Sequence, residues 1–419
     1  RSEPDPLYRY APDTPHPYKY QAMNPSVSDP VITPLPKEAP VAASRKLFTI
    51  GLPAASDPAD HRFALTPEGA QQLIENGFEI VMQRGAAAPI HYPDSRYAEC
   101  GVKIVERAQA WSADIVIQLS RVNRTDVAMM RRGAMLLTLL KPLQATRDDI
   151  KALLEAHIIT VALDMVEDMD GNRPFADILA EITGRAAIVG AVSLLADSFG
   201  GKGILLGGVT GVVPCEVTVI GSGRAARAAA GSAFGNGALV RMFDNDIYSL
   251  RRAERDLNCR VVTSALHRRV LLNALRTADV VINTPVEPAM VFDTEAIATM
   301  KKGVIIFDLT ERAGADFPGV TKCCVGPDMA IPTIKGTQRR VCYTNVVNAV
   351  ARTTAMALSN SLLTMLTRLV DCDGMTNALR LLPGVRSAVV TFFGKPVNAE
   401  VAKKAGVRQA DINIFLTLS

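Results

Sequence analysis

"VTVIGSGRAARAAAG", residues 217–231, decides the fold. Four β-branched residues run into two glycines one residue apart, and an alanine-rich helix follows at once. Gly221 permits a tight turn from strand to helix. Gly223 lacks the Cβ that would hold a ligand's phosphates away from the backbone. Ala226, at the third position of G-x-G-x-x-A, lets helix and strand pack closely. The free N–H groups of a helix N-terminus then favour an anion. The turn, with Ser222 and Arg224 in it, reads as a site for a dinucleotide's pyrophosphate. The next strand-like run ends "VRMFDND", so Asp244 follows Gly221 by 23 residues, close to the ~20 expected for the acid that holds ribose hydroxyls. A carboxylate there repels a 2′-phosphate and favours NAD over NADP, while Arg241 and Arg224, nearby in sequence, pull the other way. Asn245 beside Asp244, and Thr284 and Leu309 at the ends of "DVVINT" and "GVIIFDL", complete the candidate cofactor set. A glycine turn without a ligand explains the strand and helix but not the acid.

On both sides of this turn, strand-like and helix-like segments alternate. Before it come "KLFTIGL", "FEIVMQ", "VKIV", "DIVIQL", "AMLLTLL" and "IITVAL". "TPEGAQQLIENG" reads as a helix, with Thr66 as N-cap, Pro67 at the first position and Gly77 as stop. A long helical stretch, about Phe175 to Ser198 and ended by Gly200–Gly201, bridges to the second half. After the turn come "ALVRMF", "CRVVTS", "DVVINT", "GVIIFDL" and "KCCVG", the strand set of a complete Rossmann-type sheet. The expectation is an α/β protein of two doubly wound Rossmann-like domains with a cleft between them. From Asn348 a helix with few charges leads into a polar, less periodic tail. Residues 1–44 differ: they hold ten of the 25 prolines, together with Tyr8, Tyr10, Tyr18 and Tyr20. Proline at that density blocks helix and central strand alike, which predicts an extended N-terminal arm.

The whole chain has 419 residues, 48% hydrophobic and 21% charged, room for two or three domains at ~100–200 residues each. A net charge of +4 with scattered basic residues argues against a nucleic-acid partner. The seven cysteines form no CxxC; small buried hydrophobes in a reducing cytoplasm are expected, with no metal site. The apolar stretch Ile204–Ile220 is broken by Gly207, Gly208, Gly211, Pro214 and Glu216, so no membrane span is expected.

The chain resembles the alanine dehydrogenases, which share a fold with the nucleotide-binding alpha subunit of proton-translocating NAD(P) transhydrogenase. The likeness runs from about Lys46 to the end. It is carried by "HRFALTPEGAQQLIENGFEIVMQRGA", "GKGILLGGVTGVVPCEVTVIGSGRAARAAA", "ADVVINTPVEPAM", "MKKGVIIFDL", "CYTNVVNAVARTTAMALSN" and "GKPVNAEVAKKAGV". It implies a discontinuous substrate domain, 45–176 with 350–419, and an NAD-binding domain over 177–349. It also implies a homo-oligomer. Arg62 in "HRFALTP" matches the family's arginine for the substrate carboxylate, and a guanidinium grips a carboxylate with two parallel hydrogen bonds. Asn345 in "CYTN" matches an asparagine near nicotinamide and substrate. Two positions depart. The catalytic lysine of the family falls on Gln118, which donates hydrogen bonds but moves no proton. Its catalytic histidine falls on Lys141, which can do acid–base work only with a lowered pKa. The family's aspartate after "FDL" is replaced near Glu311–Arg312. His61 and His91 are further protonatable groups in reach by sequence. Three readings stay open: a dehydrogenase of a small, carboxylate-bearing amino or oxo acid; transhydrogenase-like hydride transfer between nicotinamide cofactors; and a protein that binds NAD without catalysis.

Overall fold

Short runs of branched and apolar residues, bounded by Gly, Asp and Asn, form the strands. Six come first: β1 (Thr49–Leu52), β2 (Glu79–Gln83), β3 (Lys103–Val105), β4 (Ile115–Ile117), β5 (Met135–Thr138) and β6 (Ile159–Ala162). Seven follow: β7 (Glu216–Ile220), β8 (Leu239–Asp244), β9 (Val262–Ala265), β10 (Val280–Asn283), β11 (Ile305–Asp308), β12 (Thr321–Cys324) and β13 (Val341–Thr344). The last two are β14 (Val389–Phe392) and β15 (Lys395–Pro396). The computed structural model describes residues 48–139, 145–196, 201–312, 314–325, 340–370 and 375–418. The proline-rich arm, Lys141 and Cys372 lie outside these residues.

The strands make two sheets, ordered β15-β14-β6-β5-β4-β1-β2-β3 and β12-β13-β11-β10-β7-β8-β9. Every pair in the second sheet is parallel. In each sheet the chain moves outward to one side and then crosses to the other, so a topological switch point lies between β1 and β4 and between β7 and β10. Ligands of such sheets bind outside the carboxyl ends of the strands at that point. The fold is thus α/β with two Rossmann-like domains. Central strands are buried on both faces, as parallel sheets require: β4, β5, β6 and β10 carry no exposed residue.

The helix Pro67–Glu75 starts as its sequence predicts, with Thr66 Oγ1 accepting the Gly69 N–H at 3.2 Å, and Gly77 leaves it at φ 96°. Other expectations need correction. The bridging helix spans Pro174–Leu195, and Ala196 after it is extended at ψ 153°; Ser198 and Gly200 lie outside the described residues. The tail after Asn348 is more regular than its polarity suggests: β14 and β15 add antiparallel strands to the first sheet. The bridging helix is also, among the described residues, the one helix long and apolar enough to cross a membrane. It packs on the helix Arg224–Gly235, and Ala187, Ile188, Ala191 and Leu195 sit in the core of the second domain. The cysteines are not all buried. Cys215, Cys323 and Cys342 are, but Cys324 faces outward on the edge strand β12 and Cys259 sits exposed in a turn at φ 55°.

Candidate active site

The carboxyl edge of the second sheet brings several of the sequence-predicted residues into one row. Register aligns Ile220 with Phe243 on one side and with Asn283 on the other, and Asn283 with Asp308. Phe307 aligns with Tyr343 in turn. The residues that continue these positions are Asp244, Gly221, Thr284, Leu309 and Asn345, five candidates spread across adjacent strand ends and flanking the β7/β10 switch point.

The turn itself has the predicted geometry. Gly221 sits at φ 95°, and a Cβ there would lie 2.0 Å from Thr284 Oγ1. Thr284 is buried, its hydroxyl donating to the Ile220 carbonyl at 2.7 Å. It therefore buttresses the turn from behind and spends its one proton on the fold. Gly223 differs: a Cβ there would meet nothing within 4 Å, so its freedom from a side chain serves something the protein atoms do not fill. The helix Arg224–Gly235 begins at Gly223 with no side-chain cap, leaving its first N–H groups for an anion. Ala226 is fully buried, as close packing requires.

Ser222, also fully buried, donates to Asp244 Oδ2 at 2.6 Å, and the Asp246 N–H donates to Oδ1 at 3.0 Å. Each carboxylate oxygen keeps a lone pair for a hydroxyl. Asn245 is exposed and ties to the Glu287 carbonyl at 3.1 Å. Arg224 turns toward the bridging helix, pairing with Asp177 at 2.6 Å. Leu309 is half-buried against the core of the second domain, and its N–H donates to the Asn283 carbonyl at 2.8 Å. The donors, the open space at Gly223 and the held carboxylate fit a dinucleotide.

Arg62, the residue expected to take the substrate carboxylate, lies in an arch that follows Asp60. Its backbone N–H and Nε donate to Asp60 Oδ1 at 3.1 and 2.8 Å, and its Nη2 pairs with Oδ2. Asn345 is exposed in the left-handed region at φ 58°, a conformation asparagine tolerates better than most residues. Its amide makes no hydrogen bond among the described residues, while its carbonyl accepts the Asn348 N–H at 3.3 Å. Gln118 does not present a free amide. It spans the β1/β4 switch point, with Nε2 donating to the Ala54 carbonyl at 3.0 Å and Oε1 accepting the Ser120 N–H and hydroxyl at 3.1 and 2.9 Å. Only 3% of Gln118 is exposed, so its hydrogen-bonding capacity is committed to the fold. Arg312, on the loop after β11, pairs with Asp316 at 2.5 Å. Burial and the neighbouring Asp308 carboxylate push the Asp316 carboxyl upward, against the Asn283 hydrogen bond and the Arg312 charge. His91 is exposed at φ 58°, and His61 offers its backbone N–H to Asn348.

Sequence reasoning missed Asn348. It is 4% exposed, and it ties the loop after β13 to the Arg62 arch by donating to the Ala59 carbonyl at 2.5 Å and accepting from the His61 N–H at 3.3 Å. A partner 287 residues away leaves no local signal.

This arrangement has counterparts. Two family models match the chain, "Alanine dehydrogenase/PNT, N-terminal domain" over residues 51–183 and "Alanine dehydrogenase/PNT, C-terminal domain" over residues 186–399. The chain belongs to the alanine dehydrogenase/PNT family. An alanine dehydrogenase of Mycolicibacterium smegmatis is 32% identical over 375 residues, covering 88% of this chain and 99% of the relative. Among solved structures, an L-alanine dehydrogenase aligns with TM-score 0.75 at 23% identity, over 85% of this chain and 98% of its own. A transhydrogenase from Sinorhizobium meliloti aligns with TM-score 0.66 at 21% identity, over 84% and 99%. These two structural likenesses speak for the fold. Within the alanine dehydrogenase/PNT family, then, this member gathers five candidate residues at one sheet edge and ties the Gln118 amide to the backbone.

Proposed function

We propose that the protein is an NAD-dependent oxidoreductase of the alanine dehydrogenase type, moving a hydride between nicotinamide and a small amino or 2-oxo acid. The observation that carries this reading is the row of Asp244, Gly221, Thr284, Leu309 and Asn345 at the switch point, beside an uncapped helix N-terminus. Bound NAD supplies the hydride acceptor. The rest falls to the chain: helix N–H groups hold the pyrophosphate, Asp244 takes the adenosine ribose, Arg62 grips the substrate carboxylate, and Asn345 orients the reacting end. Oxidising an amino acid also requires a base for the amine proton before water replaces nitrogen. Lys141 is assigned that role by sequence. The cofactor domain is taken as 177–349, and the substrate domain as 45–176 with 350–419. A substrate panel read at the NADH absorbance tests the reading, including alanine with NAD and pyruvate plus ammonia with NADH. Turnover is expected, with Lys141→Ala abolishing it and sparing NADH binding.

One observation favours a second reading. Gln118 cannot give up or take a proton as an acid or base and is fixed to the backbone, which suits hydride transfer between two nicotinamide nucleotides, a reaction without a proton shuttle. Reduction of an oxidised nicotinamide analogue by NADH, with no turnover on the amino-acid panel, would select it. NADH binding with neither activity would select a binding protein.

We further infer cytoplasmic residence from the cysteine usage, and self-association from the exposed apolar turn over 204–213. Leu205, Val209, Val212 and Val213 are 59–80% exposed there, a patch of the kind that marks a protein interface. Light scattering is expected to give a multiple of the chain mass, reduced by Val213→Asp.

A further inference from the structure

Arg62 is the residue the proposed function needs most on the substrate side, and its guanidinium is already half engaged. A guanidinium has five N–H donors arranged along two bidentate edges. Asp60 occupies one edge, taking Nε and Nη2, and also accepts the Arg62 backbone N–H. Nη1 meets no described acceptor, so the second edge, Nη1 with the other Nη2 hydrogen, stays free. Asp60 keeps 9% of its side-chain surface exposed and Arg62 keeps 20%.

The arch carrying this pair is held from the other domain. Asn348 stands one short turn after Asn345, donates to Ala59 and accepts from His61, and so brackets Asp60 on both sides. Its amide also reaches the Val325 carbonyl at 3.5 Å, just past β12. All three contacts go to backbone groups, and the side chain is nearly fully buried. Asn348 fixes where the arch sits relative to Asn345, and Asp60 fixes how the guanidinium is turned within the arch.

We propose that Asp60 and Asn348 are positioning residues that present the free edge of Arg62 to the substrate carboxylate. The alternative is that Asp60 acts as an internal competitor, which a substrate must displace. The two ideas predict opposite signs for Asp60→Asn. Loss of the charge-assisted bond leaves the guanidinium free to turn, so positioning predicts weaker carboxylate binding and competition predicts stronger.

This inference rests on the carboxylate role given to Arg62 above, and the experiment separates the two. Oxamate, a carboxylate isostere of pyruvate, is titrated into the NADH-loaded full chain, alongside the substrate panel. Asp60→Asn and Asn348→Ala are each expected to weaken oxamate binding roughly tenfold or more, the scale of one lost hydrogen bond to a charged group. NADH affinity is expected to be unchanged. In an Arg62→Gln background neither substitution should weaken oxamate binding further, because both act through that guanidinium; a merely structural defect would still add. Asp60→Asn keeps the shape of the side chain and carries the test alone if Asn348→Ala does not fold. Unchanged or tighter oxamate binding in Asp60→Asn overturns the proposal while turnover on the panel keeps the functional reading. Weakened oxamate binding without any turnover in the wild type upholds the proposal and removes the dehydrogenase reading. A wild type that binds no oxamate removes both.

Discussion

Gly221 and Gly223 are two residues apart and are glycine for different reasons. At Gly221 both the backbone and the space forbid a side chain: φ is 95° and Thr284 Oγ1 would be 2.0 Å from a Cβ. Gly221→Ala is expected to destabilise the protein by about 1–3 kcal/mol, the cost of a strained backbone position, read as a lower urea midpoint without any ligand. At Gly223 no protein atom objects to a side chain. Gly223→Val is expected to leave the unfolding midpoint of the ligand-free protein within about 0.5 kcal/mol of wild type and to abolish NADH binding by calorimetry. Retained NADH binding in Gly223→Val would place the pyrophosphate elsewhere. Asp244 belongs to the same scale. Its pairing with Ser222 holds a carboxylate in position at the strand end, so Asp244→Ala should weaken NAD and narrow the preference over NADP, measured as the ratio of the two dissociation constants. These residues were legible in the sequence because glycine spacing and an acid at a fixed distance have local physical meanings. Gln118 was legible by position only: nothing in "DIVIQL" tells that the amide turns back onto Ala54.

Elements are legible where periodicity and caps are local. The alternation of buried strands and capped helices is of that kind. The strand Val389–Phe392 has a local signal in its β-branched and aromatic run, but its place in the first sheet does not, because its partner β6 lies far back in the chain. Thr391 shows the bond that holds it. Its buried hydroxyl lies 2.9 Å from the Ile158 carbonyl and 2.8 Å from Thr160 Oγ1. Thr391→Val keeps the shape and orphans both groups, so a loss of about 1–3 kcal/mol is expected in urea unfolding with the slope unchanged. The helix Arg147–Glu155 gives the pH-dependent counterpart. Thr146 and Asp149 form its capping box, and Arg121 Nε donates to Asp149 at 2.8 Å. Burial raises the Asp149 carboxyl, but the hydrogen bonds from Arg121 and Thr146 outweigh it and leave the pKa below its ordinary value. A depressed folded-state pKa means the native state binds this proton less readily than the unfolded chain. The stabilisation is complete above the ordinary carboxylate range and is lost as pH falls through it toward the folded pKa. Asp149→Asn is therefore expected to lower stability at neutral pH and to flatten its decline on acidification, checked by urea midpoints across that range.

At the scale of the whole molecule, the bridging helix sets how the cofactor turn is carried. It crosses the helix Arg224–Gly235 closely, and Gly184 is what permits the approach: a Cβ there would lie 2.2 Å from the Ala225 carbonyl oxygen and 2.9 Å from the Ala229 nitrogen. Ala225 is the second residue of the helix whose N-terminus faces the proposed pyrophosphate. At the near end of the same bridging helix, Asp177 pairs with Arg224. One element thus meets this helix at two points, one of them the candidate residue Arg224. None of this is readable from "AEITGRAAIVGA", where Gly184 is one small residue among several and the partner backbone is over 40 residues ahead. A larger side chain has to push the two helices apart, because these neighbours are backbone atoms that no rotamer change can move. Overpacking of this kind costs about 1–3 kcal/mol. Gly184→Val is accordingly expected to lower the urea midpoint and also to weaken NADH binding, since the displaced helix takes its N–H groups with it. Gly190 on the same helix provides the comparison. A Cβ there would meet only the ring of Phe307, at 3.1 Å, on a side chain that can shift, so Gly190→Ala should disturb stability with NADH affinity retained. Equal NADH affinity in Gly184→Val and wild type, measured on folded protein, would mean that the cofactor turn is held by its own sheet alone.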